Sequence, residues 1–321
     1  MAAYKKGSAI ARTMEQYSNK RLSSSGTPPA LFIAKGVVTS TNMVPRMGVV
    51  LDSFEEQQAN PADAAGPRPK GRDWFVRAGA KNGDGSKDKP FKDPTNALER
   101  AEAGDVIHVA EGEYTGKLRA AKFIVDMPFL TLQGGYDANF SKRNPWKHPT
   151  VLRFVRDEKN SYGQGAILEG ALDHRGTIVD GFVFDRRDYN KYEDDGDMMI
   201  DYSNKSESVW LMSPGSVVRN CTFVNGATGA LMIGTASVVE NNIFMNHVGA
   251  VVTVRRGDDN SPTVVRNNTI LFSWNEKFGQ GNVTMGYGIK FDTQSRGVAD
   301  NNIIAFIDNH AVEVFGDPMD V

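Results

Sequence analysis

SVVRNCTF, at Ser216–Phe223, recurs in kind along this chain. Without gaps it aligns with TIVDGFVF (Thr177–Phe184), SVVENNIF (Ser237–Phe244), TVVRNNTI (Thr263–Ile270) and GVADNNII (Gly297–Ile304). The five starts lie 39, 21, 26 and 34 residues apart. A unit that returns at such spacing is the signature of a solenoid. The shortest interval is one plain coil, and the longer ones are coils with a loop inserted at a corner, where solenoids tolerate insertion.

The fifth column of the alignment holds Gly181, Asn220, Asn241, Asn267 and Asn301. Gly and Asn tolerate left-handed φ, so these five positions are expected to form a stack of sharp backbone corners. The sixth column holds Phe182, Cys221, Asn242, Asn268 and Asn302. Phe and Cys prefer burial, so this column is expected to point inward. Buried Asn residues there must bond to one another and to corner carbonyls. The Val pairs before the corner and the Ile or Phe after it supply two sheets. SVWLMS (Ser208–Ser213), GALMIG (Gly229–Gly234), GAVVTV (Gly249–Val254), GIKFD (Gly288–Asp292) and AVEVF (Ala311–Phe315) supply a third. Near-continuous apolar strands of this kind suit parallel sheets around one core. The expected fold is all-β: a right-handed parallel β-helix, a three-sheet solenoid, over residues 73–321.

Upstream of the repeat, a strand is expected at Trp74–Arg77, a short capping helix from about Pro94 to Glu102, and a strand at Val106–Ala110. The helix carries Ala97, Leu98 and Ala101 on one side. It would cover the open end of the solenoid, where strand edges are otherwise unpaired. Residues 1–72 differ in character and end in QQANPADAAGPRPKGR (Gln57–Arg72), a Pro- and Gly-rich linker. They are expected to form an irregular leader, either flexible or an arm folded against a partner or along the β-helix. At the other end no capping helix follows Val312–Phe315. The last coil is therefore expected to be covered by further chain or by another subunit.

The chain has 321 residues, a net charge of −2 and 40% hydrophobic residues. That balance points away from nucleic acid and from anionic membranes. No apolar run is long enough to span a bilayer, and no conventional signal peptide is expected. The single Cys221 excludes an internal disulfide and a Cys-based zinc site. The compartment is left open.

The repeat resembles the right-handed parallel β-helix, or pectate-lyase-like, superfamily. WFVRAGAKNGDGSKDKPFKDPTNALERAEAGDVIHVAEGEYTG (Trp74–Gly116) and LTLQGGYDANFSKRNPWKHPTVL (Leu130–Leu152) are similar to segments of its uncharacterised bacterial members. The resemblance implies the fold, and a mostly extracellular or cell-surface setting. It does not imply one activity, since the superfamily holds lyases, hydrolases, epimerases, adhesins and inert scaffolds. Its lyases carry DH and RxPxxR patterns, and its polygalacturonase-type hydrolases carry GHG and RIK; this chain has only GIK at Gly288–Lys290.

Three insertions offer chemistry. Asp185–Asp197 is the most charged, and Asp194, Asp195 and Asp197 offer oxygen ligands for a calcium ion; a solvated acidic loop is the plainer reading. No other cofactor is expected. Arg255–Pro262 brings Arg255 and Arg256 as a clamp for saccharide carboxylates, or as a salt-linked surface turn. Ser273–Tyr287 brings Trp274 and Tyr287, rings that stack on sugars or anchor the loop. If Ile289 and Phe291 point inward, Lys290 and Asp292 point outward. In the same register Leu231, Ile233, Val251, Thr253 and Glu313 would also face out, a half-apolar face. His247 and His310 are expected to serve as structural corners.

The expected function is a non-catalytic β-helix scaffold, or a surface or assembly subunit, with polysaccharide or another protein subunit as partner. The alternative is a polysaccharide lyase or glycoside hydrolase using Asp185, Arg187, Asp195, Lys290 and Asp292.

Overall fold

In the computed structural model the described residues are 65–81, 83–116, 123–153, 165–186, 207–226, 229–255, 261–274, 286–292 and 295–315, with the backbone alone at 190–192, 198–200 and 274. They form a parallel β-helix of three sheets. The first sheet has eight strands, from Asp73–Val76 to Gly297–Asp300. The second has seven, from Gly112–Tyr114 to Ile303–Ile307, and the third seven, from Phe123–Val125 to Val312–Val314. From Val106 onward each coil visits the three sheets in that order, and every neighbouring pair within these sheets is parallel.

The corner between first and second sheets follows from the fifth column. Gly181, Asn220, Asn241, Asn267 and Asn301 have φ of 81°, 54°, 55°, 57° and 51°. Gly181 differs from the Asn residues for a steric reason. A Cβ there would stand 2.8 Å from both Arg143 Nη2 and Pro145 Cγ, because the 137–149 insertion packs on that corner. The sixth column points inward, with Phe182, Cys221, Asn242 and Asn268 at most 1% exposed. Asn242 accepts the Cys221 N–H at 2.9 Å and donates to Val218 O at 3.0 Å. Asn268 repeats this one coil on, accepting the Asn242 N–H and donating to Val239 O, each at 3.0 Å. Asn302 does the same for Asn268 N–H and Val265 O. Beside this ladder Phe184, Phe223 and Phe244 stack at 4.8 and 4.7 Å, the spacing of the strands themselves.

A second left-handed column, not anticipated from the sequence, lies five residues after the first: Asn225, Asn246, Phe272 and Phe306, all with φ of 60–63°. Asn246 donates to Asn225 at 2.8 Å, Asn225 to Asp185 at 3.1 Å, and the Phe pair stacks at 4.8 Å.

The fourth repeat column forms a charge ladder on the outer face of the first sheet. Asp180, Arg219, Glu240, Arg266 and Asp300 are in register. Their signs alternate, so neighbours one strand apart attract. Arg219 Nε meets Asp180 at 2.8 Å, and Arg266 Nη2 meets Glu240 at 2.8 Å. Arg143 from the 137–149 insertion adds a second cation to the fully buried Asp180 at 2.5 Å.

The helix is shorter than expected, Pro94–Leu98, with Asp93 as its N-cap accepting from Thr95 N. Ala97, Leu98 and Ala101 still enter the core. Of the expected leader, residues 1–64 lie outside the described residues. Its end packs on the solenoid: the Arg68 guanidinium donates to the carbonyls of Phe129 and Gly176. Buried Asp105 accepts from Arg72 N at 2.8 Å, Trp74 Nε1 at 2.8 Å and Glu102 N at 2.9 Å. Burial pushes this carboxyl up, but the donors outweigh it and hold the group below the usual carboxylate range. The last coil exposes Val298, Ile303, Val312, Val314 and Phe315.

The inner ladder predicts an asymmetry between adjacent Asn residues. Asn268→Ala orphans the Asn242 N–H and the Val239 carbonyl, and should cost about 3 kcal/mol. Asn267→Gly keeps the left-handed corner and should cost under about 1 kcal/mol. Denaturant midpoints of the two variants check this; equal shifts would contradict the ladder's role.

Candidate functional site

From its second strand onward the third sheet turns one position per strand outward, with Met232 and Thr253, midway, buried. Register places Glu169, Trp210, Met232, Thr253, Lys290 and Glu313 in a single stripe. Neighbouring strands lie about 4.8 Å apart, so the stripe runs roughly 24 Å along the solenoid. The sequence-based register is corrected here by one residue. Leu231 pairs with Val252 and Val252 with Ile289, and these point inward with Ile233, Val254 and Phe291, all core residues. Val251 is also in the core, and so is Ala230. Gly229 and Gly249, at φ of 145° and 89°, turn the chain just before, so strict alternation starts one residue later than assumed. The outer face is therefore more polar than expected.

At its C-terminal end the stripe broadens into a patch. Asp292 is held by Arg255 Nε at 3.0 Å and faces Lys290 Nζ at 3.8 Å. The Lys290 ammonium also lies 4.4 Å from the centre of the Phe315 ring. Tyr287 packs edge-on to Phe315, at 6.5 Å, and lies near-parallel to His310, at 6.0 Å. His310 Nδ1 meets Glu313 at 2.5 Å. Lys290, Asp292 and Glu313 keep about a quarter of their side-chain surface open, and Arg255 nearly half.

Four of the sequence candidates thus come together: Arg255, Tyr287, Lys290 and Asp292. Asp185 does not join them. It lies on the second sheet, 7% exposed, with Arg153 at 3.3 Å and Asn225 at 3.1 Å. Its neighbours give it a structural duty. Arg187, Asp194, Asp195, Asp197 and Arg256 lie outside the described residues, as does the Trp274 side chain. Among the described residues no group of three His, Cys, Asp or Glu side chains could hold a metal ion. No described helix is long and apolar enough to cross a membrane.

The two histidines expected at corners are not equivalent. His247 is fully buried in the second sheet beside Ser273, whereas His310 is exposed before the last third-sheet strand. His247 Nδ1 accepts the Gly226 N–H at 3.1 Å, which leaves Nε2–H to donate to Phe223 O at 3.1 Å. The first of these bonds needs the neutral ring. Burial drives its pKa down to about 4, with the Arg186 charge acting the same way. Burial likewise pushes the Cys221 thiol up to about 12, so it is inert as a nucleophile.

Sequence reasoning missed Phe315 and His310 as patch members, and also a cluster on the first sheet. There His108 bridges Asp73 at 2.7 Å and Tyr136 at 2.9 Å, Tyr136 donates to Gln133 at 2.6 Å, and Phe75 stacks on His108 at 4.9 Å. These contacts tie the first three strands of that sheet together. No repeat marks them, so no column signal exposes them.

The sequence pattern of one family of proteins of unknown function, DUF1565, matches residues 77–317. The chain belongs to the DUF1565 family. The match runs from just after the first strand, Asp73–Val76, to beyond the last and includes the whole patch. Among solved structures, a pectin methylesterase in complex with a hexasaccharide is similar at 12% identity, with a TM-score of 0.35, covering 70% of this chain and 80% of that one. Comparison with curated proteins gives no match. For this DUF1565 member the geometry of the patch therefore has to carry the functional reading.

The buried imidazole makes a pH prediction. A folded pKa near 4, below the ordinary His value of about 6.5, stabilises the fold fully above that ordinary value. That contribution, on the order of 3 kcal/mol, is lost as pH falls from about 6.5 to about 4. Proton NMR should find His247 neutral at pH 5, and the denaturation midpoint should fall across this window. A ring titrating near 6.5 would contradict it.

Proposed function

We propose that this protein is a non-catalytic β-helix that binds polysaccharide along the outer face of its third sheet. One observation carries the reading: Tyr287, Phe315, Lys290, Arg255 and Asp292 meet on a partly open surface at the end of a 24 Å stripe, a length of about that order from the strand spacing. Aromatic rings beside hydrogen-bonding charged groups suit the apolar faces and hydroxyl edges of sugars.

The absence of turnover in this reading has its own support. A general base must take up a proton during the reaction, and a carboxylate held by cations loses that neutralising contact when it does so. Asp292 is already engaged by two cations, and Glu313 by His310. The contrary reading, a lyase or hydrolase using Lys290 and Asp292, needs these pairs to open.

Insertion lengths also favour this face. From the coil of Ile178–Asp180 onward, one or two residues join first-sheet to second-sheet strands in every coil. All longer connections there border the third sheet, including 186–208 and 275–286.

The test is binding of soluble polysaccharides, followed by affinity electrophoresis and calorimetry, with reducing-end and unsaturated-product assays in parallel. Tyr287→Ala should weaken binding about tenfold, the loss of an aromatic contact worth about 1–1.5 kcal/mol. Turnover that disappears in Lys290→Ala or Asp292→Asn would overturn the non-catalytic reading.

A further inference from the structure

We infer that the saccharide taken by the third-sheet patch is a neutral glycan rather than a polyuronate or other polyanion. The inference rests on the saccharide-binding reading above and adds the charge class of the ligand.

The charges already present decide the matter. An anionic polymer needs cations that are not neutralised in place. The described outer face supplies two, Arg255 and Lys290. Both converge on one carboxylate: Arg255 Nε lies 3.0 Å from Asp292 Oδ2, and Lys290 Nζ lies 3.8 Å from Oδ1. Lys290 has a second partner in the Phe315 ring, 4.4 Å away. Glu313 stands beside Lys290 in register, and Glu169 adds a further carboxylate on the stripe. Among the described residues two cations therefore face two carboxylates, with Glu169 a third about 19 Å further along the stripe, within a chain of net charge −2.

A uronate entering here would have to displace Asp292 from Arg255, exchanging one ion pair for another. It would also approach Glu313. A neutral sugar meets neither cost. Its hydroxyls can donate to the exposed edges of the Asp292 and Glu313 carboxylates and accept from Lys290 and Arg255 while the ion pairs stay closed. Its apolar face can lie on Phe315, which is 40% exposed. The ion pairs then act as fixed, pre-oriented hydrogen-bonding groups.

The experiment uses the full chain and two pairs of polymers that share a backbone and differ in charge. One is hydroxyethylcellulose against carboxymethylcellulose; the other is methyl-esterified against de-esterified polygalacturonate. The neutral member of at least one pair should bind more tightly, with Kd changing less than about twofold as salt rises from about 0.05 M to about 0.5 M. Asp292→Asn releases both cations. It should tighten binding of the charged members about tenfold at low salt, and that gain should vanish at high salt. Thermal melting of the variant confirms that it is folded. Tighter, steeply salt-dependent binding of the charged members by the unmodified protein would overturn the inference while leaving polysaccharide binding intact. So would an Asp292→Asn variant with no gain for them. No binding to any of the four polymers would overturn both readings.

Discussion

The structure depends on a backbone that must enter the left-handed region at the same place in every coil. The turn from first to second sheet, one or two residues long, hinges on a single left-handed residue, with φ between 51° and 81° in five successive coils. A turn this tight leaves the neighbouring N–H and carbonyl groups inside the solenoid, where unpaired groups are costly. Within the same coil the Cys221 thiol reaches the Arg219 carbonyl at 3.1 Å but does not serve the Cys221 N–H or the Val218 carbonyl. The side chain of the residue after the corner in the next coil does, by projecting inward and bonding the coil below. Asn supplies an acceptor and a donor on one short arm. Asn242, Asn268 and Asn302 use both in the same way. Each coil's corner is thus completed by the next, which makes the solenoid cooperative between neighbours.

That dependence fixes the register of everything facing outward. Identical positions of successive coils stand one strand apart, so any charge on the outside meets its counterpart. On the first sheet the solution is alternation, from Asp180 to Asp300. The third sheet follows a different pattern. Glu169, Trp210, Met232, Thr253, Lys290 and Glu313 neither alternate nor repeat. A column that serves only to hold coils together has no reason to vary so much. Its mixed chemistry fits a surface shaped for something outside the chain.

The legibility of the sequence followed the strength of the backbone constraint. The fifth and sixth columns were readable because few residue types tolerate left-handed φ, and because Cys221 and Phe182 betray the buried side. The second left-handed column was hidden, because Asn225 and Asn246 give way there to Phe272 and Phe306, residues that rarely adopt this conformation and do so here as a stacked pair. The fourth column stood in the same alignment, and its signal was the alternation of sign down the column rather than the identity of any residue. The third-sheet register went astray by one residue in Gly229–Ile233 because the glycine turn delays the onset of alternation. Part of the patch was within reach, since Lys290 and Asp292 sit two apart in a strand. Phe315 and His310 were not, because they join it from the last coil through register alone.

The patch and the fold are linked through Asp292. Arg255 and Asp292 follow the ends of consecutive third-sheet strands, Ala250–Val254 and Tyr287–Phe291, so their 3.0 Å ion pair spans the same gap as the backbone ladder. Exposed pairs of this kind contribute little to stability, about 0–1 kcal/mol. The inner Asn ladder already secures these coils, so the pair is not required for folding. What it does achieve is orientation. It holds a guanidinium and a carboxylate together on the partly open surface, with Lys290 beside them against Phe315. A weak contributor to folding that is strongly placed for contact is more readily understood as part of a recognition surface than as part of the scaffold.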